Sequence, residues 1–260
     1  MLYYVLYYIY PVFSFFYLFH LWLSSVRLFP LALLQALSLA QTTSEMYRTT
    51  GQFIGGCQWH PFDHQRGYHP DPYWGGIFDA FRQSKYAYYM FASQAPKPMV
   101  YIAHEMTQFS DSDVVVFSNC DSVKLSIYDG AKSWTLPVQH SMNKDYNKPM
   151  DFKGVWDFWE ARNYSYIKKE WQKVKMLAEG FIDGHVVCSE TRMPSRRSTK
   201  LRLYADAMGR PLVADGSDFV VVVCEVTDDN GNVRRLAKEN IRFSLSGEGR
   251  FIDDGTINAN

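Results

Sequence analysis

The chain has 260 residues with 27 basic and 27 acidic side chains, so its formal net charge at pH 7 is zero. Zero net charge without a basic stripe gives no reason to expect nucleic acid as a partner. The four cysteines, Cys57, Cys120, Cys188 and Cys224, form no CxxC pair, so the sequence predicts neither a structural zinc site nor a disulfide framework.

Residues 1–31 form an apolar segment. Residues 1–26 carry no charged side chain and are long enough to cross a bilayer. Tyrosine, which normally lies at the membrane interface, crowds this stretch, and Pro11 interrupts it. No basic region precedes it, which is untypical of a signal peptide. Three interpretations stay open: a genuine membrane anchor, a segment translated out of frame or from a misplaced start, and an irregular piece of core. We favour the second.

Residues 32–50 predict a helix that ends before Gly51, at the position of a C-cap. Its apolar face is formed by residues at helical spacing, Leu34, Leu37, Ala40 and Met46.

Residues 52–59 predict a short buried strand, and a loop dense with Trp, His, Asp and Arg follows it as far as Gly67. Residues 80–93 then predict a helix, because Phe81, Lys85, Tyr88 and Tyr89 recur at three- and four-residue spacing. Strand, loop and helix make one repeat of an α/β barrel, where polar groups at the end of a strand line an active site.

The two sequences GGCQWHPFDHQRGY (55–68) and GGIFDAFRQSKYAYYMFASQ (75–94) resemble the last βα unit of the catalytic barrel in glycoside hydrolase family 2. The members they are similar to are β-galactosidase-like enzymes with extra C-terminal sandwich domains. The residues that fall at the family's spacing are Trp59, Asp63, Gly67, Gly76, Arg82 and Lys85. The resemblance implies that residues 32–95 are the tail of a (β/α)8 barrel.

A linker with two prolines, residues 94–98 (QAPKP), ends this unit. Short alternating runs follow at 114–119 and 123–128, with a hairpin turn at Asp129-Gly130, and residues 174–191 read as a further hairpin. Strands at this spacing are typical of an antiparallel sandwich. Residues 99–195 resemble the immunoglobulin-like domain that follows the barrel in many of these hydrolases.

The stretch 144–173 is longer and more polar than that domain requires. Its aromatic residues are Trp156, Phe158, Trp159 and Trp171. They can form a platform for a sugar ring, or belong to a loop that folds back on the sandwich or the barrel, and we favour the loop.

Residues 200–260 predict the start of a second β-sandwich. Residues 201–206 and 219–226 read as strands, and the second is near-continuously apolar, which predicts a central strand. Residues 228–232 (DDNGN) read as a hairpin turn. About 60 residues is short for a sandwich, which usually needs about 100. We therefore expect a mainly β chain: an incomplete (β/α)8-barrel tail followed by immunoglobulin-like antiparallel sandwiches.

Retaining glycosidases use two carboxylates about 5–5.5 Å apart, one as acid/base and one as nucleophile. The resemblance implies that these two glutamates lie on barrel strands before residue 52, and the sequence carries no Asn-Glu pair there. We therefore expect no catalytic residue in this chain, and no activity from the chain alone, although the family is one of enzymes.

The resemblance implies that part of the substrate wall remains. Trp59 would be the aromatic floor on which the sugar ring stacks. Asp63 would fix the loop or accept a sugar hydroxyl. His60, His64 and Arg66 would line the mouth of the site.

The expected partner is a β-linked oligosaccharide or glycoside. No cofactor and no metal are expected, because the histidine and aspartate spacing between residues 60 and 69 fits no dedicated metal site. A membrane is a partner only if residues 1–26 are a true span. Family resemblance implies a periplasmic or secreted protein, and the sequence itself leaves the location open.

A second function, of another class, stays open. The chain can be a non-catalytic carbohydrate-binding or adhesion module behind a membrane anchor. Upstream DNA that encodes barrel strands with two glutamates in another reading frame would decide for the glycosidase.

Overall fold

The computed structural model describes residues 31–46, 56–58, 60–69, 73–80, 82–140, 146–207, 209–213, 215–234, 237–252 and 256–258. The chain divides into two compact units, Met1–Arg192 and Met193–Asn260. No helix of the described part is long and apolar enough to cross a membrane. The apolar segment 1–26, and Gly51 after the first predicted helix, lie outside the described residues.

The first unit is built on two β-sheets. The strands of the smaller sheet are β1 (Val100–Ala103), β2 (Val114–Ser118) and β5 (Met150–Phe152). The strands of the larger sheet are β3 (Ser122–Ile127), β4 (Lys132–Pro137), β6 (Met176–Ile182) and β7 (His185–Arg192). Their orders are β1-β2-β5 and β4-β3-β6-β7, with antiparallel pairing throughout. The mainly β, antiparallel architecture expected from the sequence is confirmed.

Both predicted hairpins of this unit form. Tyr128, Asp129 and Gly130 connect β3 to β4 with φ angles of 57°, 53° and 86°. Asp183 and Gly184 connect β6 to β7 with φ angles of 50° and 77°. Aspartate and glycine tolerate this left-handed conformation better than other residues do, so the turn chemistry visible in the sequence fixes both hairpins.

The two sheets enclose one hydrophobic core. Along β3, Val123, Leu125 and Ile127 are fully buried, whereas the side chain of Lys124 between them is partly exposed. The smaller sheet contributes Ile102 and other apolar residues to the same core. Period-two alternation in the sequence therefore selects the face that each strand buries.

An N-terminal layer, formed by the described residues between 31 and 95, covers the other face of the smaller sheet. It contains helix α1 (31–46) and helix α2 (Tyr86–Ala92). Apolar residues of both helices share one buried cluster with alternate residues of β1 and β2, and the largest buried side chains of that cluster include Phe117 and Tyr146. Because both of its faces are covered, every residue of β2 is buried.

Polar groups also join this layer to the sheets. The Tyr86 hydroxyl donates to Glu105, and the ring of Tyr101 stacks on Tyr89 with centroids 3.5 Å apart. The Glu190 carboxylate accepts from the backbone N–H of Ile102 and pairs with Arg192 at 3.1 Å, and the Arg192 guanidinium lies 5.0 Å from the Tyr101 ring centroid. Burial raises the pKa of Tyr101 to about 12, so this phenol stays neutral at physiological pH.

The connection between β5 and β6 contains the aromatic stretch noted in the sequence. It forms helix α3 (Phe158–Arg162), a π-helical turn (Asn163–Ile167) and a 3-10 turn (Trp171–Lys173). Asp157 caps α3 by accepting from the N–H groups of Trp159 and Glu160 at 2.8 and 3.1 Å. Trp156 is buried and donates its indole N–H to the Thr107 carbonyl, so it packs in the core and forms no platform.

The second unit holds two antiparallel strand pairs. They are β8 (Lys200–Asp206) with β9 (Val221–Thr227), and β10 (Asn240–Arg242) with β11 (Thr256–Asn258). The turn after β9 is fixed by Asp228, which is fully buried and accepts from the N–H groups of Arg196, Asn230 and Asn232. The prediction of a central strand is wrong for the described residues: β9 pairs there with β8 alone, and its first residues are exposed.

Two further predictions need correction. Leu34, assigned to the apolar face of α1, is 62% exposed, and Ala36 is buried there together with Ala40, which the sequence had assigned to that face. The helix predicted over 80–93 begins only at Tyr86. Arg82 has a φ of 65°, and the Asp79 carboxylate accepts the Gln83 N–H at 2.8 Å, so the chain turns here. A helix cannot pass through a left-handed residue.

Candidate functional site

The loop that the sequence singled out lies in the N-terminal layer. Trp59 falls outside the described residues, as does most of the strand predicted over 52–59, and residues 56–58 belong to no strand. His60, Asp63, His64 and Arg66 are described. The structure brings three of these four, His60, Asp63 and His64, beside the described residues of the segment between Tyr73 and Lys85.

Asp63 is the anchor of this loop. Asp63 is 4% exposed as a residue, and its carboxylate accepts the backbone N–H of Gly76 at 2.9 Å and lies 3.0 and 3.1 Å from the Lys85 ammonium. The ammonium also donates to the Trp74 carbonyl at 2.8 Å. A buried charge is tolerated only when it is paired and hydrogen-bonded, and both conditions are met for each partner. Asp63 therefore ties the loop to the start of α2 and to the segment before it.

Gly76 makes this arrangement possible. A Cβ at this position would lie 2.4 Å from the Asp63 nitrogen and 2.4 Å from the Phe62 carbonyl carbon. Both are backbone atoms and cannot move aside as a flexible side chain would. The two segments run side by side here, with backbone hydrogen bonds from Asp63 to the Phe78 carbonyl and between His64 and Tyr73. The close approach of two backbones explains the glycine.

Two histidines and a tyrosine form a ring cluster beside the anchor. The centroid distances are 4.6 Å from His60 to His64, 4.8 Å from His60 to Tyr73 and 5.3 Å from His64 to Tyr73. The Nδ1 atom of His64 lies 3.3 Å from the Phe62 carbonyl. Aromatic edges and imidazole nitrogens together offer apolar surface and hydrogen bonds, the combination that sugar hydroxyls and ring faces need.

Arg66 lies apart from this cluster, in the outer part of the loop. Its guanidinium is 3.2 Å from Nδ1 of His69, and the neighbouring Tyr68 is 85% exposed. Gly67 has a φ of 75°, which lets the chain turn back after Arg66.

Sequence reasoning had not assigned Lys85 or Tyr73 to the site. Lys85 could have been assigned, because it falls at the family's spacing together with Asp63. A carboxylate that is buried there needs a cation beside it. No local pattern could have identified Tyr73, because its place beside the histidines depends on pairing between two loops. Gln35 of α1 is a third such residue, and its amide donates to the Gly76 carbonyl at 3.1 Å.

A separate cleft of about 540 Å³ opens on the first unit next to α3. Among its lining residues are Gln108, Phe109, Ser112, Asp157 and Trp159. Trp159 is 69% exposed, and the Arg162 guanidinium lies 5.4 Å from its ring centroid and 5.9 Å from that of Tyr166. Trp159 thus presents an indole surface at an open cleft with polar edges, whereas Trp156, which also lines the cleft, is buried.

Comparison with known proteins gives these features a context. A family model described as "Glycoside hydrolase family 2 C-terminal domain 5" matches residues 201–260. A protein of Thermoanaerobacter pseudethanolicus named "Beta-galactosidase" is 29% identical over 190 residues, which are 70% of this chain and 25% of that protein. A "Beta-glucuronidase" of Formosa agariphila is 29% identical over 175 residues, 66% of this chain and 16% of that protein. The chain thus spans about a quarter or less of the length of these relatives.

Solved structures agree with these matches. A β-glycosidase from Bacteroides vulgatus superposes with a TM-score of 0.58 at 20% identity, over 78% of this chain and 24% of that one. A β-glucuronidase described as a member of glycoside hydrolase family 2 superposes with a TM-score of 0.52 at 25% identity, over 82% of this chain and 21% of that one. The chain is therefore similar to the C-terminal region of glycoside hydrolase family 2 proteins, and residues 201–260 match a C-terminal domain of that family.

Proposed function

We propose that this chain is part of a retaining exo-β-glycosidase, β-galactosidase-like, that hydrolyses O-glycosidic bonds of β-linked oligosaccharides or glycosides. In this proposal residues 32–95 are the last βα unit of the catalytic barrel, residues 99–195 are an immunoglobulin-like sandwich and residues 200–260 begin a second one. The names of the two curated relatives, a β-galactosidase and a β-glucuronidase, support this class of substrate.

The observation that carries the proposal is the anchored loop. The buried Asp63–Lys85 pair and the close approach at Gly76 hold His60 and His64 in one geometry. A substrate wall has to be rigid, because misplacement of a positioning group by about 1 Å can cost about 100-fold in rate.

The proposal gives each residue of the loop a role. Trp59 provides the surface on which the sugar ring stacks. His60 and His64 offer imidazole nitrogens to sugar hydroxyls, and Arg66 lies at the mouth. Asp63 acts chiefly by fixing the loop, since its contacts with Gly76 and Lys85 use three of about four acceptor positions of a carboxylate.

The reaction itself needs groups that we assign to the upstream barrel. Hydrolysis with retention requires a nucleophile and an acid/base about 5–5.5 Å apart. The sequence has no glutamate between Glu45 and Glu105, and Asp63 is neutralised by Lys85. General acid–base assistance alone contributes about 10²–10⁴ in rate, and here the covalent step would be missing too.

The test compares the 260-residue chain with a protein extended upstream to a complete barrel, using nitrophenyl β-galactoside, β-glucuronide and β-mannoside. We expect background rates from the chain alone and hydrolysis with retention of configuration from the extended protein. In the extended protein, Trp59→Ala should lower kcat/KM. The loss should correspond to a few kcal/mol of activation free energy, as expected when a large stacking surface is removed. Turnover by the chain alone, abolished by replacing one of its own carboxylates, would contradict the proposal.

A second candidate function is non-catalytic carbohydrate binding, and the cleft beside α3 favours it. An exposed indole flanked by amide, hydroxyl and carboxylate side chains suits the apolar face and the hydroxyl rim of a pyranose. Arg162 rests against the exposed ring of Trp159 and helps to hold it in place.

This second function is tested by isothermal titration of the full chain with β-linked oligosaccharides. Trp159→Ala should abolish the binding. The matched control is Trp74→Ala, which removes a half-exposed tryptophan of the N-terminal layer and should leave the binding unchanged. Binding lost in the control but kept in Trp159→Ala would assign it to the loop site instead.

A further inference from the structure

Two cysteines far apart in the sequence meet in the first unit. Cys120 lies in the connection from β2 to β3, and Cys188 lies on β7, 68 positions later. Their sulfur atoms are 3.5 Å apart. The sequence had predicted no disulfide, because spacing alone cannot show which thiols a fold brings together.

Gly180 creates the space for this contact. It lies on β6 directly opposite Cys188, where the register of β6 and β7 shifts. A Cβ on Gly180 would be 2.6 Å from the Cys120 sulfur and 2.8 Å from the Cys188 sulfur. Any larger residue there would push the two thiols apart, so the glycine and both cysteines form one packed group.

We infer that Cys120 and Cys188 are a modification site, at which a low-molecular-weight disulfide such as glutathione disulfide forms an intramolecular disulfide. The bond would tie β7, the edge strand of the larger sheet, to the chain between the two sheets. It closes a loop of about 68 residues, long enough to reduce substantially the conformational entropy of the unfolded chain.

The reaction follows from the burial of the two groups. Cys188 is the more exposed thiol, so it attacks glutathione disulfide first, forms a mixed disulfide and releases one glutathione. The Cys120 thiol, which is buried, then attacks the Cys188 sulfur and releases the second glutathione. Both protein thiols are oxidised, one glutathione disulfide is reduced, and the two protons leave with the two glutathiones.

The surroundings of the two thiols make their oxidation slow. Burial and the hydrogen bond between Cys188 and Cys120 raise the pKa of the Cys188 thiol to about 12, so little thiolate is present at neutral pH. Thiolate is the attacking species in disulfide exchange, and oxidation should therefore take hours and accelerate with pH. The remaining thiols, exposed Cys57 and partly buried Cys224, provide an internal comparison.

The test uses the full chain with Cys57→Ser and Cys224→Ser, so that only the pair remains. The protein is equilibrated with glutathione disulfide at pH 8, acid-quenched, unfolded and alkylated, and its mass is measured. We expect monomers with no alkylatable thiol, and a melting temperature of the first unit raised by about 10 °C and restored to its starting value by dithiothreitol.

The control adds Cys188→Ser to the same background and should show no change in melting temperature on oxidation. Peptide mapping of the oxidised wild-type chain, which needs no substitution, should yield one cross-linked peptide pair that contains both residues. Two alkylatable thiols after equilibration, stable mixed disulfides with glutathione, or cross-links between chains would each overturn the inference.

Discussion

Strands β2 and β9 have nearly the same composition and opposite surroundings. β2 reads VVVFS and β9 reads VVVCEVT, so both are runs of valine that favour a strand. Every residue of β2 is buried, whereas Val221 and Val222 at the start of β9 are 50% and 44% exposed. β2 lies between β1 and β5, with the core on one face and the N-terminal layer on the other. Among the described residues, β9 has only β8 beside it.

The difference shows that an apolar run specifies a strand without specifying what covers it. A strand buried on both faces reads as a continuous apolar run, and β2 fits that rule because a helical layer covers its outer face. β9 has the same pattern, yet the described residues bury only its last two positions. The covering layer is therefore the feature to perturb.

The largest effect should come from removing a buried ring under that layer. Phe117→Ala in β2 should destabilise the first unit by about 3–5 kcal/mol, since the ring is 1% exposed and leaves a cavity. All seven tryptophans of the chain precede residue 193, so denaturant unfolding followed by tryptophan fluorescence reports the first unit alone. The matched control is Phe219→Ala in the second unit, where the ring is 56% exposed, and hydrogen exchange there should change little.

The second prediction concerns the contacts that hold the loop around Asp63 in the N-terminal layer. Lys85→Met leaves the Asp63 carboxylate buried without its cation and should destabilise the loop by about 3 kcal/mol. The readout is faster hydrogen exchange at Gly76, whose N–H donates to that carboxylate. Lys153→Met, which breaks an exposed pair with Asp113, is the control and should have no measurable effect. Equal effects from both substitutions would mean that the buried pair does not anchor the loop.

A third effect depends on pH. His104 accepts the Met106 N–H at Nδ1 and meets the Asp111 carbonyl at Nε2, and burial lowers its pKa. The folded state therefore favours the neutral ring, so the unfolded chain binds the proton more tightly. The stability that His104 contributes is complete above an unfolded-state pKa of about 6.5 and is lost as the pH falls through the lower folded pKa.

The measurement is the free energy of unfolding of the first unit against pH, for the wild type and for His104→Gln. Below pH 6.5 the variant should show the shallower loss of stability. Above pH 7, where the ring is neutral in both states, the two slopes should coincide. Identical slopes below pH 6.5 would show that His104 does not contribute to the acid sensitivity.

The smallest effect is expected on the open face of the second unit. Val222→Thr in β9 and Leu203→Lys in β8 replace side chains that are 44% and 62% exposed, so each should change stability by no more than about 0.5 kcal/mol. Both should reduce self-association measured by light scattering, because they remove exposed apolar surface. If either substitution lowered the free energy of unfolding by several kcal/mol, this face would have to be covered, and β9 would not differ from β2 in this respect.

Local patterns predicted the hairpins well. Each hairpin turn needs residues that accept a positive φ, and the sequence shows an Asp-Gly pair at both, Asp129-Gly130 and Asp183-Gly184. The start of α2 was predicted about six residues early, because helical spacing over 80–93 could not reveal the left-handed turn at Arg82.

The candidate site was predictable in part. The sequence identified Asp63 as a residue that fixes the loop or binds sugar, and its buried contacts with Gly76 and Lys85 account for the first role. Its predicted contact with a sugar stays a prediction, as do those of Trp59 and the two histidines. The partners of Asp63 come from a segment 13 to 22 residues later, beyond the range of any local pattern.

Local sequence patterns were enough to predict the β-rich class and the turns at Asp129–Gly130 and Asp183–Gly184. These properties depend on φ/ψ preferences and on period-two alternation, which act over a few neighbouring residues. The tertiary structure alone decided that β2 is covered on both faces, that Lys85 neutralises Asp63, and that Cys120 meets Cys188 beside Gly180. Each of these depends on bringing together segments that are 20 or more residues apart, and the free energy that selects them comes from burial and charge pairing in the assembled fold.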